Sequence, residues 1–166
     1  TRVRERRSNL GLTVSATTRA PRKGEVDGVN YFFLTREEFD RRVANGEFVE
    51  WAEVHGNCYG TLVSEVTSKL ASGASLILEI DVQGALQVKE RFPEAVLIFI
   101  KPPSLEVLRE RLVGRGTETP ETIELRMANA ADELALADRY DDVVVNDDLD
   151  RATDELVRVL DMHERI

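Results

Sequence analysis

The sequence is poor in the residues that build disulfides and metal centres. It contains one cysteine, Cys58, and two histidines, His55 and His163, among 166 residues. A disulfide framework needs paired cysteines and a structural zinc site needs clustered ligands, so the sequence predicts neither. No apolar run approaches the length of a membrane span, and the basic N-terminal stretch is not followed by the apolar segment of a signal peptide. We therefore expect a cytoplasmic protein in a reducing compartment, with no membrane partner.

Positive charge is also scarce. The 22 Lys and Arg residues are outnumbered by 31 Asp and Glu, which gives a formal net charge of -9. Such a chain lacks the positive field that binding to nucleic acid requires, which also disfavours a DNA-associated role. With 42% hydrophobic and 32% charged residues, the composition is typical of a folded globular protein, and the length suits a single domain, 1–166.

The hydrophobic pattern predicts an α/β protein with a parallel sheet core flanked by helices. Continuous apolar runs predict strands buried on both faces at 75–81, 95–100 and 142–146, and shorter strands are predicted at 12–15, at 30–34 and within 48–61. Helices are predicted at 62–71, 82–92, 104–113 and 120–137, between Thr35 and Gly46, after Asp148, and at 1–7 with a stop at Ser8 and Asn9.

Polar residues follow each predicted buried strand. Glu79 and Asp81 end the first run, Lys101 follows the second, and Asn146 follows the third. Because ligands of open α/β sheets gather beyond the carboxyl ends of the strands, we expect a site built from these residues.

A basic stretch, TTRAPRKGE, stands out in the acidic chain. Arg19, Arg22 and Lys23 are either the solvated charges of a surface turn or an anion site. Arginine forks and hydroxyl groups suit phosphate oxygens, and Tyr31 and Tyr59 would supply hydroxyls.

A guanine base would suit other residues of the chain. A carboxylate accepts both donors of the guanine edge, N1 and the exocyclic amine, whereas it would repel the N1 acceptor of adenine. Glu50, Asp81, Ser15 and Thr61 have the right chemistry, but each is also compatible with an ordinary structural position, and spacing does not show whether they converge.

A second arginine group is GRGTETPETIELRM. Arg115 between two glycines suits a mobile lid that closes cations over phosphates, with Arg126 on the following helix. The same glycines are equally compatible with a helix C-cap and a dipole-compensating arginine.

These segments together resemble the guanylate kinase family in its bacterial form. The matching motifs run in order from about residue 12 to 150: SATTRAPRKGE, NYFF, GEFVEWAEVHGNCYGT, LEIDVQG, PPS, GRGTET and VVNDDLD. The resemblance implies a P-loop nucleoside monophosphate kinase fold, with an inserted GMP-binding lobe at 15–77 and a short lid at 114–127. It implies transfer of the γ-phosphoryl group of ATP, with Mg²⁺, to GMP or dGMP, by a monomer or homodimer.

The resemblance also implies roles for single residues. The residues implied to face guanine are Ser15, Glu50, Thr61 and Asp81, and those implied to hold the GMP phosphate are Arg19, Arg22, Tyr31 and Tyr59. Arg115 and Arg126 would be catalytic lid arginines, with Arg115 and Asn146 at ATP. Glu25 would orient a neighbouring arginine.

One element of this class is missing. None of the ten glycines is followed by lysine, so the sequence has no G-x-x-x-x-G-K-[ST] phosphate loop. We expect the 166 residues to be an incomplete chain, and the missing first strand to leave two core strands with unpaired edges. The alternative is a non-catalytic guanylate-kinase-like module that binds GMP or phosphopeptides, although such a module has no need of lid arginines.

Overall fold

The computed structural model describes residues 2–7 and 10–164 and has the predicted α/β class. The α-helices are α1 Arg2–Arg6, α2 Arg36–Ala44, α3 Val63–Ala71, α4 Val82–Arg91, α5 Leu105–Gly114, α6 Pro120–Ala135 and α7 Leu149–Glu164. The strands are β1 Leu10–Leu12, β2 Ala16–Thr17, β3 Phe32–Phe33, β4 Phe48–Val54, β5 Asn57–Leu62, β6 Ser75–Ile77, β7 Ile98–Lys101 and β8 Asp142–Val145. A 3-10 turn occupies Ala137–Arg139.

Backbone contacts divide the chain into two compact units. Apart from residues 1 and 2, the first is Val3–Ala95 and the second begins at Val96. The extent of a single domain, the lobe at 15–77 and the lid at 114–127 remain predictions.

The first unit contains two sheets. β1 and β6 form a parallel pair, and β3, β2, β5 and β4 follow one another in a mixed four-stranded sheet. The predicted strand at 12–15 is wrong, because β1 ends at Leu12, β2 begins at Ala16 and residues 13–15 connect the two sheets. The predicted strand at 75–81 is too long. Because β1 ends at Leu12, its ladder with β6 ends where Leu12 pairs with Ile77.

The core of the four-stranded sheet lies against α2. Ala16, Phe39, Phe48, Cys58 and Leu62 are buried together, and the Phe39 and Phe48 rings stack with centroids 4.4 Å apart. The sheet therefore has one apolar face turned toward α2, which leaves its other face for polar side chains.

Helix caps confirm the predicted starts. The hydroxyls of Thr35, Ser104 and Thr119 accept backbone hydrogen bonds at the N-termini of α2, α5 and α6. Asp148 likewise accepts from the backbone N–H of Arg151 at the start of α7. Gly46, with φ of 70°, follows α2 as predicted. The stop predicted at Ser8 and Asn9 lies outside the described residues.

The second unit pairs β7 with β8 in parallel, as predicted, but the strands are not buried on both faces. Phe99 and Val144 are 8% and 1% exposed, whereas their neighbours Ile100 and Val143 are 47% and 39% exposed. Val144 packs against α7 through residues that include Ala152. Burial on both faces needs a layer of structure on each side, and side chains alternate along a strand, so here only every second residue is covered. Among the described residues, β1–β6 and β7–β8 are each two-stranded parallel sheets, and the missing first strand remains a prediction.

Candidate functional site

The first group of candidate residues surrounds Arg19, just beyond β2. The register of the sheet places Thr17 opposite Tyr59 on β5 and next to Phe33 on β3, which draws Tyr31 to the same place. The Arg19 Cζ lies 5.2 Å from the centroid of the Tyr31 ring, and the Tyr31 and Tyr59 rings meet edge to face at 6.2 Å. We call Arg19, Glu25, Tyr31 and Tyr59 the arginine–tyrosine cluster.

Glu25 holds the Arg19 guanidinium in a two-pronged ion pair. The Arg19 Nη1 and Nη2 donate to the two Glu25 carboxylate oxygens at 2.8 and 3.0 Å, and the Arg22 backbone N–H donates to Oε1 at 2.7 Å. The guanidinium and then this N–H lower the pKa of Glu25 to about 2, and the carboxylate raises the pKa of Arg19. Gly24, with φ of 87°, allows the turn that brings Glu25 back. The pair gives Arg19 a fixed direction and permanent charge.

Arg22 is placed differently from Arg19. It is exposed, and its recorded contacts in the cluster are backbone ones, the N–H to the Glu25 carboxylate and the carbonyl to the Glu25 N–H at 3.0 Å. The basic stretch thus contains one arginine that is held in place and one that is exposed.

The second group is built on the pairing of β4 with β5. Glu50 lies opposite Thr61, whose hydroxyl donates to the Glu50 Oε1 at 2.7 Å. Both residues are buried, with 6% and 1% exposure. Burial is the main cause that raises the pKa of Glu50, the nearby charge of Asp81 adds to it, and the hydrogen bond from Thr61 opposes it. Glu50, Thr61 and Asp81 form the carboxylate cluster.

Asp81 joins this cluster from the start of α4. It is exposed and caps the helix, with Oδ1 accepting from the Gly84 N–H at 2.8 Å. A Cβ atom added at Gly84 would lie 2.8 Å from the Glu50 Oε2 and 3.2 Å from the Asp81 Oδ1. Gly84 therefore gives the two carboxylates room, a role that the sequence analysis missed. The available signal was a glycine in the first turn of a predicted helix, which often marks a close approach.

The two clusters share one face of the four-stranded sheet. Tyr59 and Thr61 are two residues apart on β5, and their partners Ala52 and Glu50 are two apart on β4. Because successive side chains alternate, these positions point to the same side, with a repeat of about 7 Å along the strand. Cys58, by contrast, points to the apolar core on the other side. A buried carboxylate and a fixed arginine thus line one polar face.

Ser15 lies at the edge of this arrangement. It is half-buried, and its carbonyl oxygen accepts from the Phe32 N–H at 2.8 Å. This bond ties its backbone to β3. Among the described residues it has no recorded side-chain hydrogen bond to the carboxylate cluster.

The arginines of the second unit have different surroundings. Arg115 is exposed and caps the C-terminus of α5, where Gly116 has φ of 65° and donates to the Val113 carbonyl oxygen. The helix-cap geometry is therefore present, which neither supports nor excludes a lid. Arg126 pairs with Glu118 at 3.1 Å, and the other oxygen of Glu118 is buried without a hydrogen-bond partner in the described part of the chain.

Asn146 lies where the predicted site rule puts it, directly after β8. Its backbone N–H donates to the Lys101 carbonyl oxygen at 2.8 Å, which extends the pairing with β7 by one step. Its own carbonyl oxygen accepts from the Arg111 guanidinium at 2.9 Å. The half-buried residue is thus fixed through its backbone.

Comparison with known proteins decides the family. The guanylate kinase family model matches residues 3–163. The chain is 57% identical to a guanylate kinase of Gloeobacter violaceus, over 95% of this chain and 77% of the relative, and 53% identical to one of Halalkalibacterium halodurans, over 95% and 78%. The chain belongs to the guanylate kinase family. It is a nucleoside monophosphate kinase, an enzyme that phosphorylates GMP.

A solved structure agrees with the family and the fold. The crystal structure of guanylate kinase from Anaplasma phagocytophilum matches with a TM-score of 0.75 and 40% identity, over 96% of this chain and 79% of that chain. This confirms the predicted P-loop nucleoside monophosphate kinase fold. The comparisons favour the enzyme over the non-catalytic module.

Two further findings concern this guanylate kinase chain. In the part of the chain that the structure describes, no group of three or more His, Cys, Asp or Glu side chains is arranged to hold a metal ion. Within the same residues, no helix has both the length and the apolar character needed to cross a membrane.

Proposed function

We propose that this guanylate kinase binds GMP on the polar face of its four-stranded sheet. The observation that carries the proposal is the side-by-side placement, on one face, of a buried carboxylate oriented by a hydroxyl and an arginine fixed by an ion pair. The guanine base would lie at the carboxylate cluster, with Ser15 at its edge, and the phosphate at the arginine–tyrosine cluster together with Arg22.

The carboxylate cluster is chemically suited to guanine. Glu50 has one oxygen engaged by Thr61, and Asp81 has one engaged by the Gly84 N–H. Each carboxylate therefore has a second oxygen available for the adjacent donors N1–H and N2–H of guanine. Adenine presents an acceptor at N1, so a buried charged group would face it unpaired, and AMP should be rejected.

Transfer would then rest on position and charge. The GMP phosphate held by Arg19 is the acceptor, and no covalent intermediate is needed, because fixed cations compensate the charge of the transferring group. Arg115 and Arg126 are proposed as the cations for the phosphates in flight, and Asn146 and Arg115 as contacts of ATP.

The donor is proposed to be ATP with Mg²⁺. The sequence has no phosphate loop, and the described residues form no cluster of metal ligands, so they do not fit a dedicated Mg²⁺ site. The chain's own residues bind and orient the acceptor and supply positive charge. We further propose a cytoplasmic monomer or homodimer that does not bind nucleic acid.

Two substitutions separate base binding from phosphate binding. Glu50→Gln should weaken GMP and guanosine alike, by roughly 10- to 100-fold, since a hydrogen bond to a charged group is lost. Arg19→Met should weaken GMP but leave guanosine unchanged. The control is Glu53→Gln, the same change on the same strand at an exposed carboxylate. Dissociation constants come from calorimetry.

A turnover assay tests the reaction itself. GDP formation from ATP, Mg²⁺ and GMP is measured, with AMP as the control acceptor. Turnover with GMP but not with AMP as the acceptor supports the proposal. Equal turnover with the two acceptors contradicts the role of the carboxylate cluster. GMP binding that is equally weakened by Glu53→Gln and Glu50→Gln would also contradict it.

A further inference from the structure

The chain passes between the two sheets of the first unit at two places. Residues 13–15 lead from β1 to β2, and α3 leads back from β5 to β6. Since β1 and β6 are parallel neighbours, the outgoing segment leaves one end of this pair and the returning helix leads to its other end, so α3 runs back alongside the pair. Contacts between the outgoing segment and α3 therefore set the orientation of the four-stranded sheet relative to the β1–β6 pair.

Two side chains of α3 bond the backbone of residues 12–14. The Glu65 Oε1 accepts from the Val14 backbone N–H at 2.9 Å, and the Lys69 Nζ donates to the Leu12 carbonyl oxygen at 2.7 Å. Glu65 and Lys69 are one helical turn apart and bond each other at 2.5 Å. The Glu65 side chain is 14% exposed and that of Lys69 is 35% exposed. We call this pair the clasp.

The clasp differs from an ordinary pair on a helix surface. An exposed i,i+4 pair bonds only within its helix and contributes little. Here both charged groups also bond the backbone of a second segment, at Leu12, the last residue of β1, and at Val14 just beyond the end of its pairing with β6. Charge-assisted bonds of this kind are about twice as strong as neutral ones.

The packing around Glu65 is open on one side, so the hydrogen bonds of the clasp are needed to hold the crossing segment. A solvent-open pocket of about 430 Å³ borders α3 at Glu65, and its lining includes Ser68, Phe32 and Leu34. A side chain that borders a cavity has fewer packing partners to hold it. Its hydrogen bonds therefore carry a larger share of the restraint on the crossing segment.

The segment that the clasp restrains leads directly into the proposed GMP site. Ser15 follows Val14 and is bonded to Phe32, and Thr17 pairs with Tyr59 in the sheet. The Arg19 backbone N–H then donates to the Thr17 hydroxyl at 3.1 Å. A change in direction at Val14 is therefore passed along a bonded stretch to both clusters.

We propose that Glu65 and Lys69 are positioning residues for GMP binding, acting through the backbone of residues 12–14. The proposal rests on the proposed function for its ligand. Without the clasp the four-stranded sheet samples more directions relative to β1 and β6, and only a fraction of molecules has Asp81, which follows β6, placed beside Glu50 and the arginine–tyrosine cluster for one GMP molecule. The apparent dissociation constant rises by the inverse of that fraction.

The test combines amide hydrogen exchange at Val14 with GMP calorimetry and thermal unfolding. Glu65→Ala and Lys69→Met, singly and together, are compared with Asp40→Ala, which breaks the exposed i,i+4 pair with Arg36 on α2. Should Glu65→Ala fold poorly, Glu65→Gln serves in its place, because its amide oxygen still accepts from Val14 while the ion pair with Lys69 is lost.

Specific results are expected. Glu65→Ala should speed exchange of the Val14 amide and raise the dissociation constant of GMP about tenfold, whereas Asp40→Ala should change neither. The dissociation constant of GMP for the double variant should be at most about twofold higher than for Glu65→Ala. The effects of the two substitutions should not add, because both remove the same set of contacts. Glu65→Gln should retain most of the Val14 protection and lose less affinity than Glu65→Ala.

Other results would overturn the proposal. Unchanged Val14 exchange in Glu65→Ala shows that the clasp does not restrain the segment. Faster exchange with an unchanged GMP dissociation constant shows that the restraint is only structural, even if the melting temperature falls. If the unsubstituted protein does not bind GMP, the proposed function and the clasp's role in GMP binding both fail, while exchange at Val14 still decides whether the clasp exists.

Discussion

The hydrogen bond from Thr61 to Glu50 allows a quantitative prediction for Thr61→Val. Valine has nearly the same shape but replaces the hydroxyl that donates to Glu50 at 2.7 Å by a methyl group. In its ionised form the Glu50 carboxylate, with 6% exposure, then loses a donor. Such a bond is worth about 1.5–3 kcal/mol, and burial of the methyl group returns at most about 0.8 kcal/mol. We expect a net loss of about 1–2 kcal/mol in the free energy of unfolding.

The loss should depend on pH in a defined direction. Burial already raises the pKa of Glu50 in the folded protein, and removal of the Thr61 donor raises that pKa further without changing the unfolded chain. A raised folded pKa means that protonation stabilises the folded state. This contribution is fully present below the unfolded pKa and is lost as pH rises through the folded pKa. The penalty of Thr61→Val should therefore shrink between pH 8 and pH 5.

The assay is urea unfolding followed by the fluorescence of Trp51, the single tryptophan, which adjoins Glu50. Thr61→Ser is the control, because it keeps the hydroxyl and loses only a methyl group, so its penalty should not vary with pH. A Thr61→Val penalty that is the same at pH 5 and pH 8, or that is absent at pH 8, would refute the reasoning.

Two further predictions concern the same sheet. Gly60→Ala should destabilise the protein by about 1–3 kcal/mol in urea unfolding, because the new Cβ would lie 2.8 Å from the Glu50 carbonyl oxygen and 2.7 Å from the Phe48 ring; stability equal to the parent would contradict this close packing. Glu25→Gln should flatten the loss of stability on acidification. The ion pair with Arg19 lowers the folded pKa of Glu25 from 4.5 to about 2, so its contribution is present above pH 4.5 and lost as pH falls toward 2. Parallel stability curves of the two proteins over that range would show that this pair does not contribute.

Local patterns in the sequence were enough to predict most helix starts. Thr35 and Thr119 cap α2 and α6 at the predicted helix starts, because a cap depends on residues within one turn of the chain. Strand bounds were less predictable. The apolar run at 75–81 pairs only over Ser75–Ile77, since a strand extends only as far as its partner, and β1 is distant in sequence.

The same distinction holds for the candidate site. The motif resemblance predicted binding roles for Glu50, Arg19 and Asp81, which remain predictions, and the comparisons confirmed the family. Which carboxylate is buried, and that Gly84 leaves it room, became clear only when β4, β5 and α4 were brought together.

The sequence by itself determined the class, the helix starts, the family and the chemical types available for a guanine and a phosphate. Those properties lie in composition and in local spacing, which a chain carries before it folds. The tertiary structure alone decided that Arg19 is the arginine that Glu25 fixes, that Arg22 is exposed, and that Glu65 and Lys69 bond the backbone of residues 12–14. Apart from the Glu25 turn, these contacts join residues more than 50 positions apart, and their direction depends on register and on the path of the crossing segment.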